Sequence, residues 1–247
     1  LSSSAALEVS IGSAFAGLNG HKVVGMELAK IGQSAEHEFA GVRSGIMDQF
    51  AAVFGRAGHA LFLDCRSLEW EAVPVGKAKF IICNTKVKHD LAEGEYNKRR
   101  SQCEEAAALF GRPSLRDVSA EELNRRSADL PAVLLKRARH VITENERVIN
   151  AVKALRSGDV SAFGNLMNES HHSLREDFEV SCRELDIMVE IARRQPGVFG
   201  ARMTGGGFGG CTINLVEADD HKDFVDRIFS EYHAETGIEP EIYRCEI

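Results

Sequence analysis

No stretch of the 247 residues approaches the ~20 consecutive apolar side chains that a helical bilayer crossing needs. The longest strand-like run, Phe80-Ile81-Ile82-Cys83, has only four. Positive charge is in deficit: 30 Lys and Arg against 37 Asp and Glu leave a formal net charge of −7. A chain that grips nucleic acid usually carries the opposite excess, so neither a nucleic acid nor a membrane is expected as a partner. Cys65, Cys83, Cys103, Cys182, Cys211 and Cys245 lie far apart, with no C-x-x-C pair and no histidine at zinc-ligand spacing. They read as reduced, packed thiols of a cytoplasmic protein. H-E-x-x-H, Walker A, H-R-D and D-F-G elements are absent, as are internal repeats and low-complexity segments. What is there, 44% hydrophobic and 27% charged residues, is the composition of an ordinary globular chain.

The first residues lack an opening methionine, a basic leader and an apolar signal core, so no targeting segment is expected. Leu1-Ser2-Ser3-Ser4-Ala5-Ala6 reads as the start of a helix without the strand and loop before it. The expectation is a fragment whose upstream part is missing.

Apolar spacing predicts a helix over residues 4–18 (Ala5, Leu7, Val9, Ile11, Phe15, Leu18) with serines capping its front. A second helix is expected over Val23–Phe39, then a hairpin of Ala60–Asp64 with Glu69–Val73. Pro74-Val75-Gly76-Lys77 breaks the pattern and marks a domain boundary, giving domains 1–76 and 77–247. Beyond it come a buried strand Lys79–Asn84 and helices Asn97–Phe110, Ala120–Arg126, Ala132–Leu155, Val160–Asn168 and Ser181–Arg194. In the third of these, Val141, Ile142, Val148, Ile149, Val152 and Leu155 form one apolar stripe. Strands Phe199–Thr204 and Thr212–Glu217, helix Asp219–Thr236 and strand Glu241–Cys245 complete the chain. This order predicts an α+β fold, with helices packed on a mostly antiparallel sheet.

Gly205-Gly206-Gly207-Phe208-Gly209-Gly210 contains G-x-G-x-x-G, but the apolar, β-branched Cys211-Thr-Ile-Asn-Leu-Val that follows reads as a strand. A dinucleotide site needs a helix there, whose N-terminus holds the pyrophosphate. A tight hairpin would need two such residues; five glycines favour close approach of another backbone or a phosphate, because each costs ~0.5–1 kcal/mol. The serine run is first a cap, although the same N–H groups and helix dipole also suit a phosphate. Asp48, between apolar neighbours, is either an ordinary helix-starting residue or a carboxylate able to take a hydroxyl proton. Glu36 reads alone as a solvated acid. Lys98-Arg99-Arg100 beside Glu104 and Glu105 reads as a charged surface face. His171 and His172 are adjacent, point about 100° apart on a helix and cannot share a metal.

Taken together, several of these segments resemble one family. Leu1-Ser2-Ser3-Ser4-Ala5-Ala6 is similar to the latter half of the phosphate loop of the GHMP kinases. Met203-Thr204-Gly205-Gly206-Gly207-Phe208-Gly209-Gly210-Cys211 is similar to their C-terminal glycine-rich motif. Gly45-Ile46-Met47-Asp48-Gln49, Asp64-Cys65-Arg66-Ser67-Leu68, Glu95-Tyr96-Asn97-Lys98-Arg99-Arg100 and Arg116-Asp117-Val118 resemble the galactokinase group among them. The resemblance implies a two-domain fold: the remainder of an N-terminal kinase domain, then a C-terminal α+β domain. It also implies transfer of the γ-phosphoryl of MgATP to the anomeric hydroxyl of α-D-galactose.

On that basis Asp48 is the catalytic aspartate. Leu1, Ser2, Ser3, Ser4, Gly206 and Gly207 are ATP-binding positions, Ser4 and Glu36 bind Mg²⁺, and Gly45, Asp48 and Tyr96 contact the sugar. The glycine loop would close over the site from the second domain. The family's first motif, Arg-x-Asn-Leu-Ile-Gly-Glu-His-Thr-Asp, is absent, as is the Pro-x-Gly-Ala-Gly expected before Leu1. Those segments carry the arginine partner of the aspartate and most sugar contacts. The 247 residues alone are therefore expected to be inactive, and the first 75 poorly stable without the upstream segment. Alternatives are a kinase for N-acetylgalactosamine or arabinose, or a non-catalytic galactose/ATP sensor on the same fold.

Overall fold

The computed structural model describes residues 2–22, 25–76, 79–88, 92–217 and 221–245. The chain divides into two compact units, Leu1–Val75 and Gly76–Glu246. In the first, α1 (Ser3–Leu18), α2 (Met26–Ala35) and α3 (Met47–Phe54) pack on one another, followed by an antiparallel hairpin of β1 (His59–Leu63) and β2 (Trp70–Pro74). Small residues set the helix spacing. A Cβ on Gly12 would lie 2.8 Å from Leu28 Cδ1, and one on Gly32 2.9 Å from Gln49 Cγ. Gln49 is buried and its Nε2 donates to Glu8 Oε2 at 3.1 Å, so one polar contact ties α3 to α1 where the α2 glycine makes room. Phe50, Phe54 and Trp70 stack α3 on β2 at centroid distances of 4.4, 5.8 and 5.1 Å. The hairpin turn is an Asx-type turn: Asp64 Oδ1 accepts from the backbone N–H of Arg66 (2.8 Å) and Ser67 (3.1 Å).

One expectation fails in this unit and another is met with a change of helix type. Ser2 does not cap α1: it sits in the left-handed region at φ 50°, ψ 36°, and its side chain accepts no bond from the helix. The expected helix Val23–Phe39 has its start outside the described residues. The observed α-helix ends at Ala35, widens into a π-helical turn Glu36–Ala40 and stops at Gly41, φ 70°. Most of the apolar side chains of α1 face solvent, Leu7 at 61%, Phe15 at 64% and Leu18 at 85% exposure, and only Ala5 is buried.

The second unit carries a four-stranded sheet in the order β4-β5-β3-β6, antiparallel throughout, from β3 (Lys79–Lys88), β4 (Val198–Thr204), β5 (Gly209–Val216) and β6 (Glu241–Cys245). The helices are α4 (Ala92–Leu109), α5 (Ala120–Arg125), α6 (Ala132–Ser157), α7 (Val160–Ser173), α8 (Arg183–Arg194) and α9 (His221–Thr236). Ile81 and Val216 of the sheet form a core with Met188 and Ile191 of α8 and Phe224, Ile228 and Tyr232 of α9. Ala106, Phe110, Leu123, Leu134 and Ala138 make a second core between α4, α5 and α6. Local capping is textual: Ser119 Oγ accepts from Glu122 N (3.1 Å) and Asp159 Oδ1 from Ala162 N (2.8 Å). Among the described residues no helix is long and apolar enough to cross a membrane.

The stripe expected on α6 is corrected. Val148 and Ile149 are 43% and 49% exposed. At that level the inward side is occupied by charge: Glu144 holds Arg147 Nε at 2.7 Å, Arg202 Nη1 at 3.4 Å and Ser170 Oγ at 2.6 Å. Nor is Lys98-Arg99-Arg100 wholly a solvated face. Lys98 pairs with Glu95 and Arg100 with Glu104, but Arg99 turns inward and is only 7% exposed.

Candidate active site

Within the first unit, Ser3 and Ser4 form the exposed opening turn of α1, Glu36 begins the π-helical turn that closes α2, and Asp48 lies in the first turn of α3. Ser3, Ser4 and Asp48 thus lie on α1 and α3, which pack on each other, and Glu36 on the turn that continues α2, which packs on both. The first helical N–H used within α1 belongs to Ala6, which donates to Ser2 O at 3.1 Å. With Ser2 not capping, the amides of Ser3, Ser4 and Ala5 have no acceptor among the described residues, and they carry the positive end of the helix dipole. Asp48 is half-buried and has neither a hydrogen-bond partner nor an ion pair among the described residues. Gly45 lies in a loop held at its base by His37 Nε2 (2.7 Å) and Gln33 Nε2 (3.3 Å), both on Ser44 O. A Cβ there would touch nothing within 4 Å, so internal packing gives no reason for this glycine. Leu1 lies outside the described residues.

In the second unit β4 turns into β5 through the glycine cluster, and a strand, not a helix, follows it, as the failed dinucleotide fingerprint requires. Gly205, Gly207, Gly209 and Gly210 all have positive φ (84°, 87°, 121° and 86°). Gly207 has a second reason: a Cβ would run into the carbonyl oxygen of Val180. The close approach expected from the sequence is therefore made by the chain's own backbone. Gly206 has neither constraint, and its exposed position stays open on the outer side. Tyr96 is half-buried in α4, which begins earlier than the expected Asn97.

Ser4 and Glu36 supply one hydroxyl and one carboxylate, both hard oxygen donors. Among the described residues no group of three or more His, Cys, Asp or Glu is placed to hold a metal. A hydroxyl and a carboxylate are hard oxygen donors of the kind Mg²⁺ accepts beside its waters.

A buried polar layer in the second unit left no mark on the periodicity. Burial pushes the Glu144 carboxyl up, but the Ser170 hydroxyl and the Arg202 and Arg147 guanidiniums outweigh it and hold it below the ordinary range. His171 is buried and accepts from Met203 N at 3.3 Å, whereas His172 is exposed. His140 stacks on Phe178 (centroids 4.4 Å apart) with Nδ1 3.0 Å from Ser173 Oγ. Burial drives its pKa down to about 4, against the opposing pull of Glu144. The unfolded chain takes up a proton near pH 6.5 that the native state refuses until about pH 4. Stability is therefore full above that window and falls as pH drops through it, by about 3 kcal/mol at most. Urea unfolding at stepped pH should show this loss in the wild type and not in His140→Gln; parallel curves would exclude it. A cleft of about 510 Å³ near Arg139, Arg147 and Arg193 contains none of the expected site residues.

The family profile described as GHMP kinases N terminal domain matches residues 1–56, and that described as GHMP kinases C terminal matches residues 151–234. A galactokinase of Chloroflexus aurantiacus is 50% identical over 244 residues, covering 96% of this chain and 62% of the relative. The crystal structure of Lactococcus lactis galactokinase complexed with galactose superposes with a TM-score of 0.95 at 40% identity, covering 99% of this chain and 65% of that one. L. major mevalonate kinase in complex with R-mevalonate shares the fold at 21% identity and a TM-score of 0.65, covering 98% and 64%. The chain thus spans a little under two thirds of the length of these proteins. With one profile on each structural unit and near-continuous similarity to galactokinases, the chain belongs to the GHMP kinase family.

Proposed function

We propose that the protein carrying this chain phosphorylates α-D-galactose at its anomeric oxygen, with ATP as the donor. The observation that carries the proposal is the open serine turn of α1 on the same helical cluster as Asp48. Its uncapped amides and the helix dipole suit a nucleotide phosphate, and the unpaired carboxylate suits a sugar hydroxyl. Ser2, Ser3 and Ser4, with Leu1, would bind the phosphates; Gly206, open where a Cβ would stand, and the backbone of Gly207 beside it would meet the nucleotide. Gly45 and Tyr96 would contact the sugar. Ser4 and Glu36 would hold Mg²⁺, which, when bound, neutralises phosphate charge during transfer. Asp48 accepts or orients the O1 proton, and the reaction otherwise relies on positioning more than on covalent chemistry. The wide spacing of the six cysteines, with no C-x-x-C pair, supports placement in the reducing cytoplasm.

The family's first motif is not among these 247 residues, so the test uses the full-length polypeptide; the 247-residue chain by itself is expected to release little or no ADP. A panel of galactose, N-acetylgalactosamine and arabinose is followed by ADP release. Galactose-dependent release, with the other two sugars far slower, is the expected result. Release driven chiefly by another sugar, or tight binding of galactose and ATP without ADP, would replace the proposal with a related kinase or a sensor.

A further inference from the structure

Arg99 uses its whole fork. Nε donates to Phe178 O at 2.7 Å, Nη2 to Glu179 O at 2.8 Å and Nη1 to Glu95 Oε2 at 2.9 Å. The same guanidinium lies 5.6 Å from the ring centroid of Phe208, at the tip of the glycine hairpin. The two carbonyls it holds belong to the irregular segment after α7, where a π-helical turn Leu174–Phe178 runs into Glu179 at φ 54°. Arg137, also buried, grips that segment through Asp177 O and the Glu179 carboxylate (2.7 Å). The next residue is the hairpin's support: Val180 O accepts from Phe208 N at 2.7 Å and occupies the space a Cβ on Gly207 would need. Phe208 itself is held at φ 58°, a conformation costly for a non-glycine residue. On the strand side the hairpin is tied by Thr85 Oγ1, which donates to Gly210 O at 2.7 Å. The tip therefore rests on Val180, and Val180 rests on the arginines.

We infer that Arg99 is a positioning residue for the glycine hairpin: through the Phe178 and Glu179 carbonyls and the Phe208 ring it fixes the conformation of Gly206, Gly207 and Phe208. Its consequence for turnover rests on the proposed kinase activity; the bracing itself does not. Lysine cannot replace it, because a single ammonium cannot span two carbonyls and a carboxylate with planar, pre-set geometry. Hairpins that complete a site around a nucleotide act chiefly on the rate of the bound complex, and small misplacements are expensive there.

The test compares wild type, Arg99→Met and Arg99→Lys in the full-length polypeptide. Hydrogen exchange, read without substrate, is expected to speed up at the Phe208 amide by about tenfold or more in both variants, while Met188 and Val189 of α8 keep their protection. Steady-state kinetics are expected to show kcat down by about tenfold or more, with KM for galactose within about twofold. Unchanged Phe208 protection in Arg99→Lys, which keeps the stem and charge needed for folding, would overturn the inference. So would equal losses of protection at Phe208 and across α8, which mark global destabilisation. If the wild type turned over no sugar while the exchange result held, the proposed activity would fall and the bracing would stand.

Discussion

Asp48→Ala in the full-length polypeptide is expected to lower kcat by about 10²–10⁴-fold, the range a positioned proton acceptor contributes. Dissociation of ATP, measured by nucleotide binding, should change by less than about twofold, because the phosphates are assigned to the amides of α1 and not to this carboxylate. Stability should shift little: Asp48 is half-buried, lies in the first turn of α3 and has no partner among the described residues whose loss would leave a charge stranded. A variant with near-normal kcat and a lowered melting temperature would make Asp48 a helix-starting residue and nothing more. Asp48→Asn separates charge from shape, since the amide fills the same volume but cannot take the proton.

Gly164→Ala is expected to have the largest effect on stability, about 3 kcal/mol or more, in the range of forced overpacking against a part that cannot move. Gly164 on α7 and Gly200 on β4 meet face to face. A Cβ on the first would enter the Phe199 carbonyl, and one on the second the Gly164 carbonyl. Neither glycine has positive φ, so conformation does not explain either. Close contact between helix and strand does. The obstruction is backbone on both sides, which cannot rotate away as a side chain would. Denaturant titration should show a lower midpoint for Gly164→Ala, with Gly158→Ala as a contrast. Gly158 caps α6 at φ 72° with open space around its Cβ, so only its conformational cost applies, about 1 kcal/mol. Equal midpoints for wild type and Gly164→Ala would show that α7 and β4 slide apart at little cost.

What the sequence displayed and what it hid follow one physical division. Strand β6, Glu241–Cys245, was legible to the residue, and β4 and the β1–β2 hairpin to within one. Alternation and turn chemistry are local, and local rules decide such short segments. The cap of α5 was equally open to reading from Ser119 and Glu122. The inward turn of Arg99 was not, because its acceptors are carbonyls 79 and 80 residues away. Periodicity also misplaced Val148 and Ile149, since an ionic layer around Glu144 occupies the inward positions that apolar side chains were expected to fill. Glycine showed both outcomes in one motif. The need for close approach at 205–210 was visible in composition, but only coordinates reveal that Val180 takes up the space at Gly207 and that Gly206 remains open. For the proposed site, Asp48, Ser4 and Glu36 were singled out by family resemblance, and they fall at the start of α3, the opening turn of α1 and the turn that ends α2. The reason the serines are available is a backbone fact: Ser2 is left-handed and caps nothing.

In the proposed reaction one carboxylate addresses one oxygen of the sugar, and the position of the transferred phosphate reads this directly. Full-length polypeptide is incubated with ATP, Mg²⁺ and either galactose or 1-deoxygalactose, and the products are resolved by phosphorus–proton correlation NMR. Phosphate coupled to the anomeric proton of galactose, and no product or ADP from 1-deoxygalactose, is the expected result. Phosphate on any other carbon, or turnover of the sugar that lacks O1, would contradict the role assigned to Asp48.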